Sequence, residues 1–281
     1  MRVLVLGANG LLGHNLMMEL QNRAEITEVI GTVRSEKAKK ILEQMPNFLN
    51  ASRARIIHGV DAAQIETVSM AVQFLQPNVV INAVGITKVL QRSGDCVTTI
   101  KVNALFPHEL ATICENNKCR MIHISTDCVF SGSKGDYAET DTPTSTDLYG
   151  RTKTLGEVKD RKHVLTVRTS FIGREISDNG SLVEWFIREA KKTGKLRGFR
   201  GALYTGVTGK YLAKAVASLI IHNPDEYGLM QLCSQKIDKY DLLLRLAKVF
   251  NISDKVTIEA VDEPKIDRSF VPGRLLTLRE A

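Results

Sequence analysis

Length and composition describe an ordinary globular chain. It has 281 residues, of which 43% are hydrophobic and 25% charged, which is enough for one large domain or two unequal ones. The five cysteines are odd in number and form no CxxC pair or His-rich metal spacing, so we expect reduced thiols, no metal site and a cytoplasmic location. No stretch approaches the roughly 20 apolar residues of a membrane span, so we expect no membrane partner.

The net charge of +7 suits an anionic partner of some kind. The densest basic stretch runs from Arg188 to Arg200 and has no interleaved aromatic residues or nucleic-acid motif. A solvated helix face explains most of this charge, and contact with a phosphorylated ligand is the alternative. We therefore expect no nucleic-acid partner.

The N-terminus predicts a strand, a glycine turn and a helix. Arg2 to Leu6 is a β-branched and leucine run, and an apolar-periodic segment through Leu20 follows the turn. Glycines in such a turn let the backbone approach a pyrophosphate, while the helix N-terminus presents N–H donors to the anion. The pattern predicts a dinucleotide site, with these contacts: Gly7, Asn9, Gly10, Leu11, Leu12 and Gly13.

The second predicted strand, Glu28 to Val33, should end near the adenosine ribose. An acid at this point commonly binds the ribose 2′-hydroxyl of NAD, whereas an arginine accommodates a 2′-phosphate. Here Thr32, Val33, Arg34 and Ser35 supply no acid. NADP is therefore the predicted cofactor in preference to NAD, although Arg34 is also consistent with an exposed charge that begins a basic helix.

Further strands are predicted at Arg55 to His58, Val79 to Asn82, around His123, and Val164 to Arg168. Small residues after the fourth strand, Ala83, Val84 and Gly85, leave room for cofactor phosphates and ribose. Strands alternating with helices predict an α/β fold, a doubly wound parallel-sheet Rossmann fold. After Thr169 the rhythm changes, so we expect a cofactor domain over residues 1–170 and a smaller, interleaved substrate-binding lobe over residues 171–281.

Three polar residues indicate the chemistry. Thr126 comes where the fifth strand should end, beside a ligand crevice. Tyr149 and Lys153 are four residues apart, a spacing that places both side chains on one helix face. A nearby ammonium would lower the pKa of the phenol, which starts near ~10, and so help it exchange a proton. Thr126 would hold the substrate oxygen. Together they predict hydride transfer to or from a carbonyl or carbinol.

Three blocks carry a family resemblance: Ser125-Thr-Asp-Cys-Val-Phe130, Tyr149-Gly-Arg-Thr-Lys153 and Arg168-Thr-Ser170. The chain resembles the extended short-chain dehydrogenase/reductase superfamily and, more closely, the dTDP-4-dehydrorhamnose reductase family. The resemblance implies the catalytic set Thr126, Tyr149 and Lys153. It also implies adenine contacts at Asp61 and Ala62, although Asp61 also fits a helix N-cap before Ala62. The implied substrate contacts are Thr126, Asp127, Phe171, Arg268 and Arg274.

The resemblance implies an NADP-dependent reductase of a nucleoside-diphosphate 4-keto-6-deoxy sugar, acting as a monomer or homodimer, with Tyr149 as proton donor. Phe171 departs from the family, which has Trp after Arg-Thr-Ser, and this leaves the exact sugar open. A sugar dehydratase is disfavoured because Cys128 follows Asp127 where a dehydratase has Glu. An epimerase with tightly bound NAD and a non-catalytic NADP-binding regulatory subunit remain as alternatives.

Overall fold

The computed structural model describes residues 1–50, 52–88, 95–176 and 180–271. The strands are β1 (Arg2–Leu6), β2 (Glu28–Val33), β3 (Ala54–His58), β4 (Val79–Asn82), β5 (Arg120–Thr126), β6 (Val164–Thr169), β7 (Phe171–Ile172), β8 (Lys195–Phe199), β9 (Ala202–Tyr204), β10 (Val207–Thr208), β11 (Gly228–Gln231), β12 (Ile237–Asp238), β13 (Thr257–Val261) and β14 (Ile266–Asp267). The helices are α1 (Leu11–Leu20), α2 (Glu36–Glu43), α3 (Ile65–Leu75), α4 (Cys96–Ile100), α5 (Phe106–Asn116), α6 (Leu148–Leu155), α7 (Leu182–Thr193), α8 (Gly209–His222) and α9 (Lys239–Val249).

A seven-stranded parallel sheet forms the centre, with strand order β3-β2-β1-β4-β5-β6-β11. Its central strands are buried on both faces, which explains their almost continuous apolar sequence. The chain order reverses between β1 and β4, so the carboxyl ends of these strands open a crevice. The predicted doubly wound α/β fold is confirmed.

Period-2 alternation divides the side chains of each strand between two apolar layers. Val3 and Val5 face one layer, which includes buried residues of α1 and α8. Leu4 and Leu6 face the other, which includes buried residues of α3 and α5. The first helix is thus covered by α8, an element far along the chain.

The smaller lobe has its own apolar core between α7, α9 and short strands. There β8 pairs with β13, and β9 lies between β12 and β14. Two elements from this half of the sequence return to the large sheet, because α8 packs on α1 and β11 pairs with β6. The sequence predicted six strands for the large sheet, and β11 is the seventh.

Element boundaries follow the predictions closely, with one error. Four strand predictions, those for β1 to β4, agree with the structure within one residue at each end. The helix expected to start at Ala62 begins instead at Ile65, so Asp61 is not its N-cap. The Asp61 carboxylate accepts a hydrogen bond from Ala63 N at 2.9 Å and closes a turn ahead of the helix. Within the described ranges, no helix has the length and apolarity needed to span a bilayer.

Candidate active site

The glycine turn after β1 leaves its backbone open to a ligand. Gly7 has φ of +83°, and a Cβ added to Gly13 would lie 2.0 Å from the Gly7 carbonyl oxygen, so helix and strand approach too closely for a side chain. The following helix has Gly10 as N-cap, with no side-chain cap and no acid in its first turn. Its first N–H groups therefore fit the pyrophosphate of a dinucleotide.

The ends of β2 and β3 lie beside this turn. The Arg34 carbonyl accepts from Gly59 N at 3.3 Å, which brings the start of the Asp61 turn against Arg34. The exposed Arg34 guanidinium has no hydrogen bond or ion pair with the described residues. Glu36, the nearest acid along the chain, binds His58 Nε2 at 2.7 Å. Arg34 is therefore available to a ligand group, and Asp61 and Ala62 border the same edge.

A cleft of about 420 Å³ connects the glycine turn with the end of β5. The predicted site residues that line it are Gly10, Leu11, Leu12, Ala83, Val84, Gly85, Thr126, Asp127, Tyr149, Lys153 and Phe171. The Ser181 hydroxyl, also in the lining, is buried without a hydrogen-bond partner among the described residues. An orphaned hydroxyl and a glycine turn open to anions are features that a bound dinucleotide would satisfy.

Buried amides fix the loop after β4. Asn103 accepts from Ile86 N and donates to Ile86 O, both at 2.9 Å. Asn82 accepts from Val84 N at 3.1 Å and bonds His123 Nδ1 at the same distance. Burial keeps the pKa of His123 well below its usual value, so its imidazole is neutral. These residues hold the wall of the cleft in place.

Thr126 ends β5 and begins a tight turn over Asp127–Val129. Its Oγ1 accepts from Cys128 N and donates to Asp127 Oδ1, each at 3.1 Å. The Thr126 side chain also acts on the phenol of Tyr149, where it lowers the pKa. The predicted catalytic threonine and tyrosine, which are separated by 23 positions in the chain, thus line the same cleft.

Burial raises the pKa of Tyr149 above its usual value, and the neighbouring Cys128 and Asp127 raise it further, while the Thr126 side chain opposes them. The phenol is therefore protonated at neutral pH, the state required of a proton donor. Asp147 caps α6 by accepting from Gly150 N at 2.9 Å. This cap sets where the helix begins and hence where Tyr149 projects.

Lys153 is 4% exposed, and its Nζ donates to Ile124 O at 2.8 Å. Burial lowers its pKa to about 8, and the negative charge of Glu157 opposes this shift. The sequence predicted that the Lys153 ammonium lowers the pKa of the phenol. In the structure, burial is the main influence on the pKa of Tyr149, and it raises that pKa. The two side chains share a helix face, but the ammonium extends to the β5 carbonyl.

A buried ion network lies behind Lys153. Glu157 accepts from Arg168 Nε at 2.7 Å and Nη2 at 2.8 Å, and from Ser125 Oγ at 2.8 Å. Arg168 is 0% exposed, so neither charge is compensated by bulk water. Arg168 stands in a motif block and Glu157 follows another by four residues, but sequence reasoning had not joined these two positions.

On the substrate side, Arg268 Nε donates to Phe130 O at 2.9 Å, which fixes the arginine beside the turn after β5. Arg274 lies outside the described residues. Sequence reasoning missed Lys239, whose Nζ lies 3.6 Å from the ring centroid of Tyr204. The available signal was its position directly after the helix cap Asp238, where a cation opposes the helix dipole.

The described ranges contain no group of three or more His, Cys, Asp or Glu side chains arranged to hold a metal ion. The family model described as RmlD substrate binding domain matches residues 1–263. The chain belongs to this family. That membership covers both lobes, since the match runs through α9 and β13.

Several curated proteins are moderately similar to this RmlD family member. The probable low-salt glycan biosynthesis reductase Agl14 of Haloferax volcanii is 32% identical over 65% of the chain and 57% of its own length. A dTDP-4-dehydrorhamnose reductase of Aggregatibacter actinomycetemcomitans is 26% identical over 87% of the chain and 78% of its length. The methionine adenosyltransferase 2 subunit beta of Danio rerio is 24% identical over 94% and 78%. The matched region thus spans little more than half of Agl14.

Solved structures share the fold of this family member. A hypothetical dTDP-4-dehydrorhamnose reductase from Sulfolobus tokodaii superimposes with a TM-score of 0.76 at 23% identity, over 96% of this chain and 92% of that one. The Bacillus anthracis dTDP-4-dehydrorhamnose reductase in complex with NADP gives 0.72 at 21% identity, over 96% and 89%. At these identities the likeness concerns the fold alone.

Proposed function

We propose that the chain is an NADPH-dependent reductase of a nucleoside-diphosphate 4-keto-6-deoxy sugar. The observation that carries the proposal is the protonated Tyr149 phenol, which shares one cleft with Thr126, Lys153 and the glycine turn. The family membership and the names of the reductase relatives support the substrate class.

In this proposal Thr126 and Tyr149 act together on one substrate oxygen. The Thr126 hydroxyl holds the keto oxygen, and the Tyr149 phenol gives it a proton as the carbonyl becomes an alcohol. A bound reduced nicotinamide would supply the hydride. Lys153 binds the nicotinamide ribose, and the buried walls of the cleft keep water from competing for the proton.

Residues of the glycine turn, the loop after β4 and the edge formed by Arg34, Asp61 and Ala62 hold the dinucleotide in this proposal. NADP is preferred because the Arg34 guanidinium is exposed and without a partner among the described residues. The nearest acid is occupied, since Glu36 binds His58. An NADP complex of a relative with the same fold is consistent with this preference.

The competing dehydratase chemistry is disfavoured by the side chain after Asp127. Dehydration needs an acid at this point, and burial raises the pKa of the Cys128 thiol to about 12. Such a thiol stays protonated at neutral pH and cannot take up a proton as the carboxylate of a glutamate does.

The proposal is tested by following NADPH oxidation with 4-keto sugars prepared in situ, including dTDP- and UDP-linked members, and comparing the protein with Tyr149→Phe. We expect turnover with at least one sugar and a loss of roughly a hundredfold or more in the variant, because the proton donor is gone. Tyr211→Phe, which alters a phenol 42% exposed on α8, is the matched control. If none of the sugars is turned over, the reductase assignment is refuted.

A second candidate is a non-catalytic regulatory subunit that binds NADP. The observation in its favour is the similarity to methionine adenosyltransferase 2 subunit beta over 94% of the chain. In this case NADP would bind without sugar turnover, and Tyr149→Phe would leave the affinity for a partner enzyme unchanged. An epimerase, in contrast, would be purified with bound NAD, which can be detected in the denatured protein.

A further inference from the structure

Two features of the smaller lobe fix the position of the Lys239 side chain: the start of α9 and the ring of Tyr204. It is the first residue of α9, whose N-cap Asp238 accepts from Asp241 N at 2.7 Å. Its ammonium lies 3.6 Å from the ring centroid of Tyr204, within the range of a cation–π contact. Tyr204 is 4% exposed and belongs to the lobe core. The aromatic ring is therefore a fixed support for the ammonium.

This placement is electrostatically unfavourable in the free protein. Burial lowers the pKa of Lys239, and the like charge of Arg268 lowers it further. A cation at a helix N-terminus also opposes the macrodipole. Among the described residues, no carboxylate oxygen lies within 4.0 Å of this ammonium. Lys236 shows the ordinary alternative, since it pairs with Asp136 at 2.6 Å and Asp267 at 3.2 Å.

Lys239 lies within electrostatic reach of the turn that carries the candidate catalytic threonine. Asp127 and Cys128 both exert an attractive electrostatic influence on its ammonium, and both directly follow Thr126. The Asp127 carboxylate already accepts the Thr126 hydroxyl. Arg268, held by Phe130 O at 2.9 Å, influences the same Cys128. Arg268 N donates to Leu203 O at 2.9 Å, and Leu203 pairs with Asp238, the residue before Lys239. The two cationic residues therefore flank the same strand, β9.

We propose that Lys239, supported by the ring of Tyr204 and paired with Arg268, binds the diphosphate of the nucleotide sugar. An anion between the two cations relieves their mutual repulsion and supplies the partner that the lysine lacks among the described residues. Lys239 is then a specificity residue, because it favours charged nucleotide sugars over free sugars. The inference rests on the proposed function only for the identity of the anion.

The test is the affinity for dTDP and for thymidine, measured by titration calorimetry on the full chain. Lys239→Met should weaken dTDP binding by roughly tenfold or more, since a charge-assisted hydrogen bond is lost, and leave thymidine binding unchanged. Lys239→Arg should retain most of the affinity. Lys248→Met removes an exposed cation from the same helix and is the matched control, with no expected change for either ligand.

Unchanged dTDP binding in Lys239→Met would overturn the inference, as would an equal loss for thymidine, which would indicate general damage to the lobe. If the Met variant does not fold, Lys239→Gln is measured in its place with the same criteria. The titration requires no turnover. A failed reductase assay with a selective loss of dTDP affinity would therefore refute the proposed function and leave the role of Lys239 standing. Turnover of a sugar with unchanged dTDP affinity in Lys239→Met would support the proposed function and refute the role of Lys239.

Discussion

At the scale of single residues, the Lys153 ammonium is a charge whose state changes near neutral pH. Its pKa of about 8 arises from burial, and the charged form is kept by Ile124 O and the attraction of Glu157. Neighbouring groups do not titrate in the same interval, because burial raises the pKa values of Cys128 and Tyr149 and lowers that of His123. Lys153 alone among them changes charge just above neutrality.

We expect NADP affinity of the free protein to fall as pH rises from about 7 to about 9. Lysine carries its charge below its pKa and loses it above, so a contact made by the ammonium weakens by roughly fivefold to tenfold over this interval. The phosphates of NADP are already ionised throughout, with pKa near ~6. Calorimetric titrations at several pH values measure the effect. In Lys153→Met the step should vanish, and its persistence there would assign it to another group.

A substitution of Arg34 tests the proposed preference for NADPH over NADH. Arg34→Ala should raise the KM for NADPH by roughly tenfold, the value of one charge-assisted contact to phosphate, and leave the KM for NADH nearly unchanged. Initial rates with the two cofactors measure the ratio. Lys37→Ala, three residues further on and equally exposed, is the control. Equal effects of Arg34→Ala on both cofactors would contradict a 2′-phosphate contact.

At the scale of elements, the position of Tyr149 depends on how closely α6 packs on the turn after β5. A Cβ added to Gly150 would lie 2.0 Å from Ser145 Oγ and 2.2 Å from Cys128 O. No side chain fits in this space without a shift of the helix start. Gly150 therefore keeps the phenol of its neighbour in the cleft that Thr126 also lines.

Gly150→Ala should consequently reduce both turnover and stability. Alanine normally favours a helix over glycine by about 1 kcal/mol, whereas here overpacking should lower the free energy of unfolding by about 1–3 kcal/mol. Urea unfolding and initial rates measure the two effects. Arg151→Ala, on the exposed side of the same helix, should change neither by much. A stabilised Gly150→Ala protein with full activity would show that the packing is looser than the structure indicates.

The elements of the first half were predictable because their apolar runs are bounded by turn residues. That is why β1, β2 and β4 agree with the sequence prediction. The strand β11 was missed, since a four-residue segment with Gly228 and Gln231 gives little pattern and is recognised as a strand only by its pairing with β6. The interpretation of Asp61 as a helix cap was wrong. An aspartate carboxylate accepts a backbone N–H in the same way when it closes a turn as when it caps a helix, so the sequence does not distinguish the two.

At the scale of the whole molecule, the missed site features are contacts between distant parts of the chain. The motif blocks predicted that Thr126, Tyr149 and Lys153 belong together, and the structure brings them to one cleft. The approach of Lys239 to the turn after β5 spans more than a hundred residues, and no local period or spacing encodes it. The same holds for the contact of Arg268 with Phe130.

The division of the chain at residue 170 remains a prediction. The pairing of β11 with β6 and the packing of α8 on α1 determine whether the first part of the chain could fold without the second. A polypeptide truncated at this point would retain the proposed catalytic residues. It would also leave β6 as an unpaired edge strand, a template for aggregation, and would expose the apolar surface of α1 that α8 covers. The two parts of the chain are therefore not separable as folding units.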